Sequence, residues 1–155
     1  MNKLFTLIII LTLVTFGVSS CGQNETDEAG NNAEETGLTD FEMDHGIGPI
    51  DQRIEIPDEI DMEKVEKGRQ VYRSRCSSCH RMEGRHVGPE LGKITTGRSP
   101  EFIMNFILNP SENIQRHPVG QALLREYLVE MPYQNVDKEQ ARAIVEYLRY
   151  QAEEN

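Results

Sequence analysis

Two cysteines and a histidine stand in fixed register at Cys76-Ser77-Ser78-Cys79-His80. C-x-x-C-H is the spacing of a covalent haem-attachment site. Two thiols two residues apart can form thioethers with the two vinyl groups along one edge of a haem. The histidine directly after them then falls under the iron and can ligate it. A chain carrying this motif must build a shell around a flat, largely apolar group, which constrains its fold more than any other feature. One motif implies one haem. C-x-x-C also serves thiol–disulfide exchange, but that pair sits at a strand end in a βαβ pattern, and the sequence has none.

At 155 residues the chain has room for one domain. Residues 1–20 stand apart from it. Lys3 gives a minimal positive start, Leu4 to Val18 form an apolar run, and Ser19, Ser20 and Cys21 follow. A run this short, below the ~20 residues that span a bilayer, and ended by small residues, reads as an export signal. Val18-Ser19-Ser20-Cys21 resembles a bacterial lipobox, whose cysteine is lipidated and becomes the new N-terminus. The alternative is ordinary signal cleavage, with Cys21 left as a spare thiol. The lipobox reading assigns all three cysteines: lipid on Cys21, haem on Cys76 and Cys79. It places a lipid-anchored protein on a bacterial membrane, with its haem domain in the periplasm.

Residues 21–45 carry Glu25, Asp27, Glu28, Glu34, Glu35, Asp40, Glu42 and Asp44 and no Lys or Arg. Few apolar residues and many like charges predict a disordered tether, with an r.m.s. span of about 25–30 Å. The net charge of the chain is −10, and losing residues 1–20 removes only Lys3, leaving −11. That balance argues against nucleic acid as a partner and against electrostatic attraction to anionic lipid. Residues 46–60, an arm leading into the domain of residues 46–155, open with Gly46-Ile47-Gly48-Pro49. Ile47, Ile50, Ile54, Ile56 and Ile60 predict that it packs on the rest.

Four helices are legible after the arm. Asp61 to Arg75 puts Met62, Val65, Gly68 and Tyr72 on one face. Ser99-Pro100 is an N-cap followed by proline at the first helical position; Phe102, Ile103, Phe106 and Ile107 form the apolar face, and Asn109-Pro110 ends it. A third helix runs from about Pro118 to Leu128. The last starts at Asp137, with Gln140 three residues on as in a capping box, and carries the stripe Ala141, Ile144, Val145 and Leu148. The fold class is therefore all-α. About 90 residues make a small core, to which a bound haem adds apolar burial.

With these elements placed, Met62 to Gln151 resembles a class I, mono-haem cytochrome c. The carrying features are a helix, C-x-x-C-H, the loop Val87-Gly88-Pro89-Glu90-Leu91, and Met131-Pro132 before a last helix. The resemblance implies a cytochrome c fold of about four helices around one haem c. It implies that the carbonyl of Pro89 receives a hydrogen bond from the proximal ligand His80. It also implies that the first and last helices cross at Gly68 and Tyr72 against Tyr147.

His80 follows from the motif as one axial ligand. Met131 is the expected sixth ligand, on a loop from which its thioether can reach the iron; His/Met pairing raises the potential. Met62, Met82 and Met104 read as core or surface, and Met43 lies in the tether. His117 is the competitor, and its plain reading is a surface or capping residue. His86 reads as exposed and His45 as a bystander. Tyr133 or Asn135 could hydrogen-bond the Met131 sulfur, or serve only as loop residues. Arg81, Arg85 and Arg98 read equally as propionate partners, a docking patch, or solvated charge.

With both axial positions filled, the expectation is a monomeric one-electron carrier and no enzyme. Its donor would be a quinol-oxidising complex or another cytochrome, and its acceptor a terminal reductase or oxidase. Gly46-Ile47-Gly48-Pro49, Phe102 to Pro110, and Glu126-Tyr127 are similar to lipoprotein cytochromes encoded with nitrous oxide reductases, which names that reductase among the acceptors. The alternative is a haem enzyme or gas sensor with an open or labile sixth site.

Overall fold

The computed structural model of the protein describes residues 36–154. The signal segment, the lipidation site Cys21 and the tether up to residue 35 lie outside the described residues. Among the described residues the regular elements are helices and no strand occurs, as the sequence predicts.

The end of the stretch read as a disordered tether is folded. Helix α1 (Asp40–His45) forms there on a capping box. The Glu42 amide donates to Thr39 Oγ1 at 3.2 Å, and the Thr39 amide donates to Glu42 Oε2 at 2.8 Å. Leu38 before the helix and Ile47 after it are buried. Local capping and two anchored side chains outweigh the acidic composition here, so order begins ahead of residue 46.

Helix α2 (Met62–Arg75) starts on Asp61, whose carboxylate accepts from the amides of Glu63 and Lys64. Val65, Gly68 and Tyr72 are buried as expected, whereas Met62 in the first turn is exposed. Helices α3 (Ile94–Gly97), α4 (Pro100–Leu108), α5 (Pro110–Arg116) and α6 (Pro118–Tyr127) follow, and α7 (Lys138–Glu154) closes the chain. Asp137 and Gln140 form the expected reciprocal cap of α7. Its stripe of Ala141, Ile144, Val145 and Leu148 is buried.

The largest helix–helix contact is α2 against α7. It depends on Gly68: a Cβ there would lie 2.0 Å from the Ala143 carbonyl oxygen and 2.9 Å from Tyr147 Cβ. The Tyr72 and Tyr147 rings meet nearby, with centroids 5.4 Å apart.

Asn109-Pro110 ends α4 as expected, yet the chain does not leave helical structure. Pro110 becomes the first residue of α5, where its missing N–H would have no partner anyway. Helix α6 then sits directly on α5. A Cβ at Gly120 would be 2.0 Å from the Asn113 carbonyl oxygen.

The arm is stitched to α4 and α5 by side chains spaced four residues apart. Glu101 Oε1 accepts from the Ile54 amide at 2.8 Å. Asn105 accepts from the Ile50 amide and donates to the carbonyls of His45, Gly46 and Ile50. Asn109 donates to the Ile47 carbonyl. Asn113 accepts from the Ile47 amide at 2.8 Å and donates back to the Ile47 carbonyl at 2.6 Å. Glu101, Asn105 and Asn113 are fully buried. These polar groups satisfy an arm that has no strand or helix partner.

Candidate cofactor site

Side by side with the asparagine face, α4 turns Phe102, Ile103, Phe106 and Ile107 into a cavity of about 510 Å³. Ile114 of α5, Leu123, Leu124 and Tyr127 of α6, and Ile144 and Leu148 of α7 complete an apolar wall. Arg75, Ser78, Val87 and Val129 both line this cavity and stay exposed, so they stand at its mouth.

The motif enters where α2 ends. Cys76 is the C-cap, its amide donating to the Tyr72 carbonyl. The amides of Cys79 and His80 both donate to the Cys76 carbonyl, at 3.0 and 2.9 Å. This tight turn brings Cys76, Cys79 and His80 to the cavity together. Burial pushes the Cys76 thiol up to about 11.

His80 is held from three sides. Its Nδ1 lies 2.9 Å from the Pro89 carbonyl, an acceptor only, so Nδ1 carries the proton and Nε2 keeps its lone pair. Tyr72 donates its hydroxyl to the His80 carbonyl at 2.7 Å. Burial pushes the Tyr72 phenol up to about 12, so it stays a donor. Gly88 packs on the ring itself: a Cβ there would be 2.6 Å from His80 Cε1. The Gly88 amide is fixed by the Cys79 carbonyl at 2.8 Å.

Met131 lines the same cavity, on the loop between α6 and α7. Leu128 and Asn135 bracket that loop with positive φ, 58° and 51°. Tyr133 and Asn135 are exposed, and Val129, Glu130, Pro132 and Gln134 of the same loop join Met131 in lining the cavity.

His117 lies elsewhere. It is buried (1 % exposed) and is not among the cavity residues. Its Nδ1 accepts from the Val119 amide at 3.1 Å, so Nε2 carries the proton and donates to the Met43 carbonyl at 3.1 Å. The rings of Phe102 and Phe106 meet it edge-on, each 5.6 Å away. Burial holds its pKa below the ordinary value of 6.5; the Arg98 charge adds to this and the Met43 carbonyl opposes it. It is the cap of α6, the plainer of its two readings.

His45 is no bystander. Its Nδ1 lies 2.7 Å from Ser99 Oγ, and its Nε2 accepts from Arg53 at 3.2 Å. Of the three arginines, Arg81 is exposed, Arg98 stacks over the Phe102 ring at 4.6 Å, and Arg85 reaches the end of α6. Gln134, Gly88 and the asparagine series escaped the sequence reading as functional residues. Only Gly88 left a signal, inside the loop already singled out.

An apolar cavity, two thiols at its edge, an imidazole with a free Nε2, and a glycine whose side chain would fill the space beside that imidazole all fit one haem. Such a helical shell defines a mono-haem c-type cytochrome. The chain belongs to the cytochrome c family, whose model, described as "Cytochrome c", matches residues 65–152. Members of this family transfer electrons on haem, and the chain carries one covalently bound haem c. It is similar to the solved cytochrome c from Rhodothermus marinus, at 41 % identity and TM-score 0.70, over 74 % of this chain and 97 % of that one. An engineered form of that cytochrome, Rma TDE, is 41 % identical with TM-score 0.68, over 72 % of this chain and 96 % of its own. The same engineered form bound to a carbene intermediate gives 42 % and 0.66 over the same shares. No curated protein sequence matches the chain.

Proposed function

We propose that the protein is a one-electron carrier in which Cys76 and Cys79 hold the haem through thioethers and His80 and Met131 are the axial ligands. One observation carries this reading: His80, with Nε2 free, and Met131 line one cavity, while both ring nitrogens of His117 are engaged outside it. The haem supplies a reversible Fe(II)/Fe(III) couple. The chain's part is to hold the imidazole in one tautomer, keep a soft sulfur ligand in reach and exclude water from the cavity. With both positions filled the protein would perform no substrate chemistry.

The partners are redox proteins: a quinol-oxidising complex or cytochrome as donor, and a terminal reductase such as nitrous oxide reductase, or an oxidase, as acceptor. They would dock transiently at the cavity mouth, around Arg75, Ser78, Val87 and Val129, over a small area. Lipid on Cys21 would tether this monomer to a bacterial membrane, with the haem domain in the periplasm.

A second reading, a haem enzyme or gas sensor, is favoured by one feature. Among the described residues no backbone–backbone hydrogen bond involves residues 129–136, which carry Met131. Absorption spectra of the haem-loaded protein separate the two. Sharp reduced bands, a weak sulfur-to-iron band when oxidised and no response to carbon monoxide support the carrier. Rapid carbon monoxide binding supports the open site.

A further inference from the structure

The C-terminal end of α6, one residue before the Met131 loop begins, is gripped by a side chain from the opposite part of the site. Arg85 lies five residues after His80, on the loop that also supplies Gly88 and Pro89. Its Nη2 donates to the Glu126 carbonyl at 2.7 Å. Its Nη1 is 3.5 Å from Glu126 Oε1, and its guanidinium lies 4.3 Å from the centre of the Tyr127 ring. A single planar group thus makes a charge-assisted hydrogen bond, an ion pair and a stacking contact at once.

Each contact has a physical reason to be there. The Glu126 carbonyl lies in the last turn of α6, where the C-cap amide of Leu128 donates to Leu124 and not to Glu126. A cation at that end also meets the negative pole of the helix. Tyr127 is a wall residue of the cavity, so the arginine stacks on a ring whose position shapes the site. Beyond Leu128 the loop has no backbone ladder of its own before α7. Met131 therefore depends on where α6 ends. The other end of α6 is fixed by His117 and by the close seat of Gly120 on α5.

We propose that Arg85 is a latch: by holding the end of α6 to the His80 loop it positions Met131, and its release lets Met131 leave the iron and admits a small exogenous ligand. The inference rests on Met131 as sixth ligand. An exogenous ligand competes with the methionine, so its apparent affinity rises in proportion to the population in which Met131 is detached. Arg85 is thus a positioning residue that never touches the haem iron itself.

The test is an imidazole titration of the oxidised, haem-loaded protein, followed by the loss of the sulfur-to-iron band. Arg85→Ala should bind imidazole about 5- to 10-fold more tightly than the parent, the size expected from losing one charge-assisted bond and one exposed cation–π contact. Arg85→Lys keeps the charge but loses the fork and the stacked plane, and should fall between the two. In a Met131→Ala background Arg85→Ala should change nothing, because no ligand remains to be detached. Unchanged imidazole affinity in Arg85→Ala overturns the latch. So does an equal effect with and without Met131, which would put Arg85 to work somewhere else. If Met131→Ala alone leaves the band and the affinity as they were, the ligand assignment fails, and the latch falls with it for a visibly different reason.

Discussion

His117 donates from Nε2 to the Met43 carbonyl at 3.1 Å, joining the first turn of α6 to the segment ahead of the arm. Its other nitrogen caps α6 through the Val119 amide. A histidine next to a proline at a helix start invites reading as an iron ligand in a haem protein. Here the ring spends both nitrogens on the backbone, and the cavity wall is completed by its neighbours Phe102 and Phe106.

That arrangement gives stability a pH dependence with a definite sign. Burial holds the folded His117 pKa below 6.5, so the unfolded chain takes up this proton at higher pH than the folded one. The contribution is complete above about 6.5 and is lost as pH falls below it. Glu101 adds a second loss at lower pH. Burial pushes its carboxyl up, but the Ile54 amide and Arg53 outweigh that and hold it below 4.5. Denaturant unfolding of the haem-loaded protein should therefore weaken in two steps as pH falls. His117→Gln should abolish the upper step and leave the lower one. An upper step that persists in the variant would falsify the assignment.

The asparagine series makes a spatially selective prediction. Asn105→Ala leaves the Ile50 amide and the carbonyls of Gly46 and Ile50 without their partners, in a place where water does not reach. Each orphaned buried group costs about 1–3 kcal/mol, so a total near 3 kcal/mol is expected after local opening. The loss should be confined to the arm. Hydrogen exchange should speed up at the amides of Ile47 and Ile50, while α2 and α7 keep their protection. Uniform acceleration across the domain would show that the arm is part of one cooperative unit with the helix crossing.

Gly88 tests how the proximal side is built. A methyl group at 88 would stand 2.6 Å from His80 Cε1, so Gly88→Ala must push either the ring or the loop away. Either movement lengthens the 2.9 Å bond from Nδ1 to the Pro89 carbonyl. A weaker bond makes the imidazole a poorer electron donor, which favours ferrous iron. The midpoint potential should rise, with the protein still folded and about 1–3 kcal/mol less stable. Potentiometry on the variant decides it: an unchanged or lower potential contradicts this account of His80.

The parts legible in the sequence are those where local chemistry and packing agree. Val65, Gly68 and Tyr72 on one stripe, Ser99 before Pro100, and Asp137 with Gln140 each mark an element that tertiary contacts then keep. The motif, the Pro89 loop and Met131 converge on one cavity for the same reason. What was hidden is where polarity is buried. Glu101, Asn105, Asn109 and Asn113 recur every four residues, the pattern of a solvent face, and only the arm folded over them shows that they point inward. Likewise Thr39 and Glu42 carry a capping box, but acidic neighbours masked it, because composition does not register a two-residue device. Arg85 offered no signal beyond its charge; its partner Glu126 lies 41 residues away.

The crossing of α2 and α7 allows a prediction in which two effects of opposite sign compete. Gly68→Ala improves helix propensity, worth about 1 kcal/mol in favour of the variant at a mid-helix position. The added methyl group would sit 2.0 Å from the Ala143 carbonyl oxygen and 2.9 Å from Tyr147 Cβ. The nearer atom is backbone, so no side-chain rotation relieves the contact, and the helices must separate. Separation loosens Val65, Ile144 and Leu148, all nearly inaccessible to solvent, and overpacking of this kind costs about 3 kcal/mol. The clash should win by about 2 kcal/mol, a fall in Tm of roughly 10 °C for a domain of this size. Thermal unfolding of the haem-loaded Gly68→Ala protein measures the balance. A Tm equal to or above the parent's would mean that the helices part without loss and that the close crossing is not what Gly68 provides.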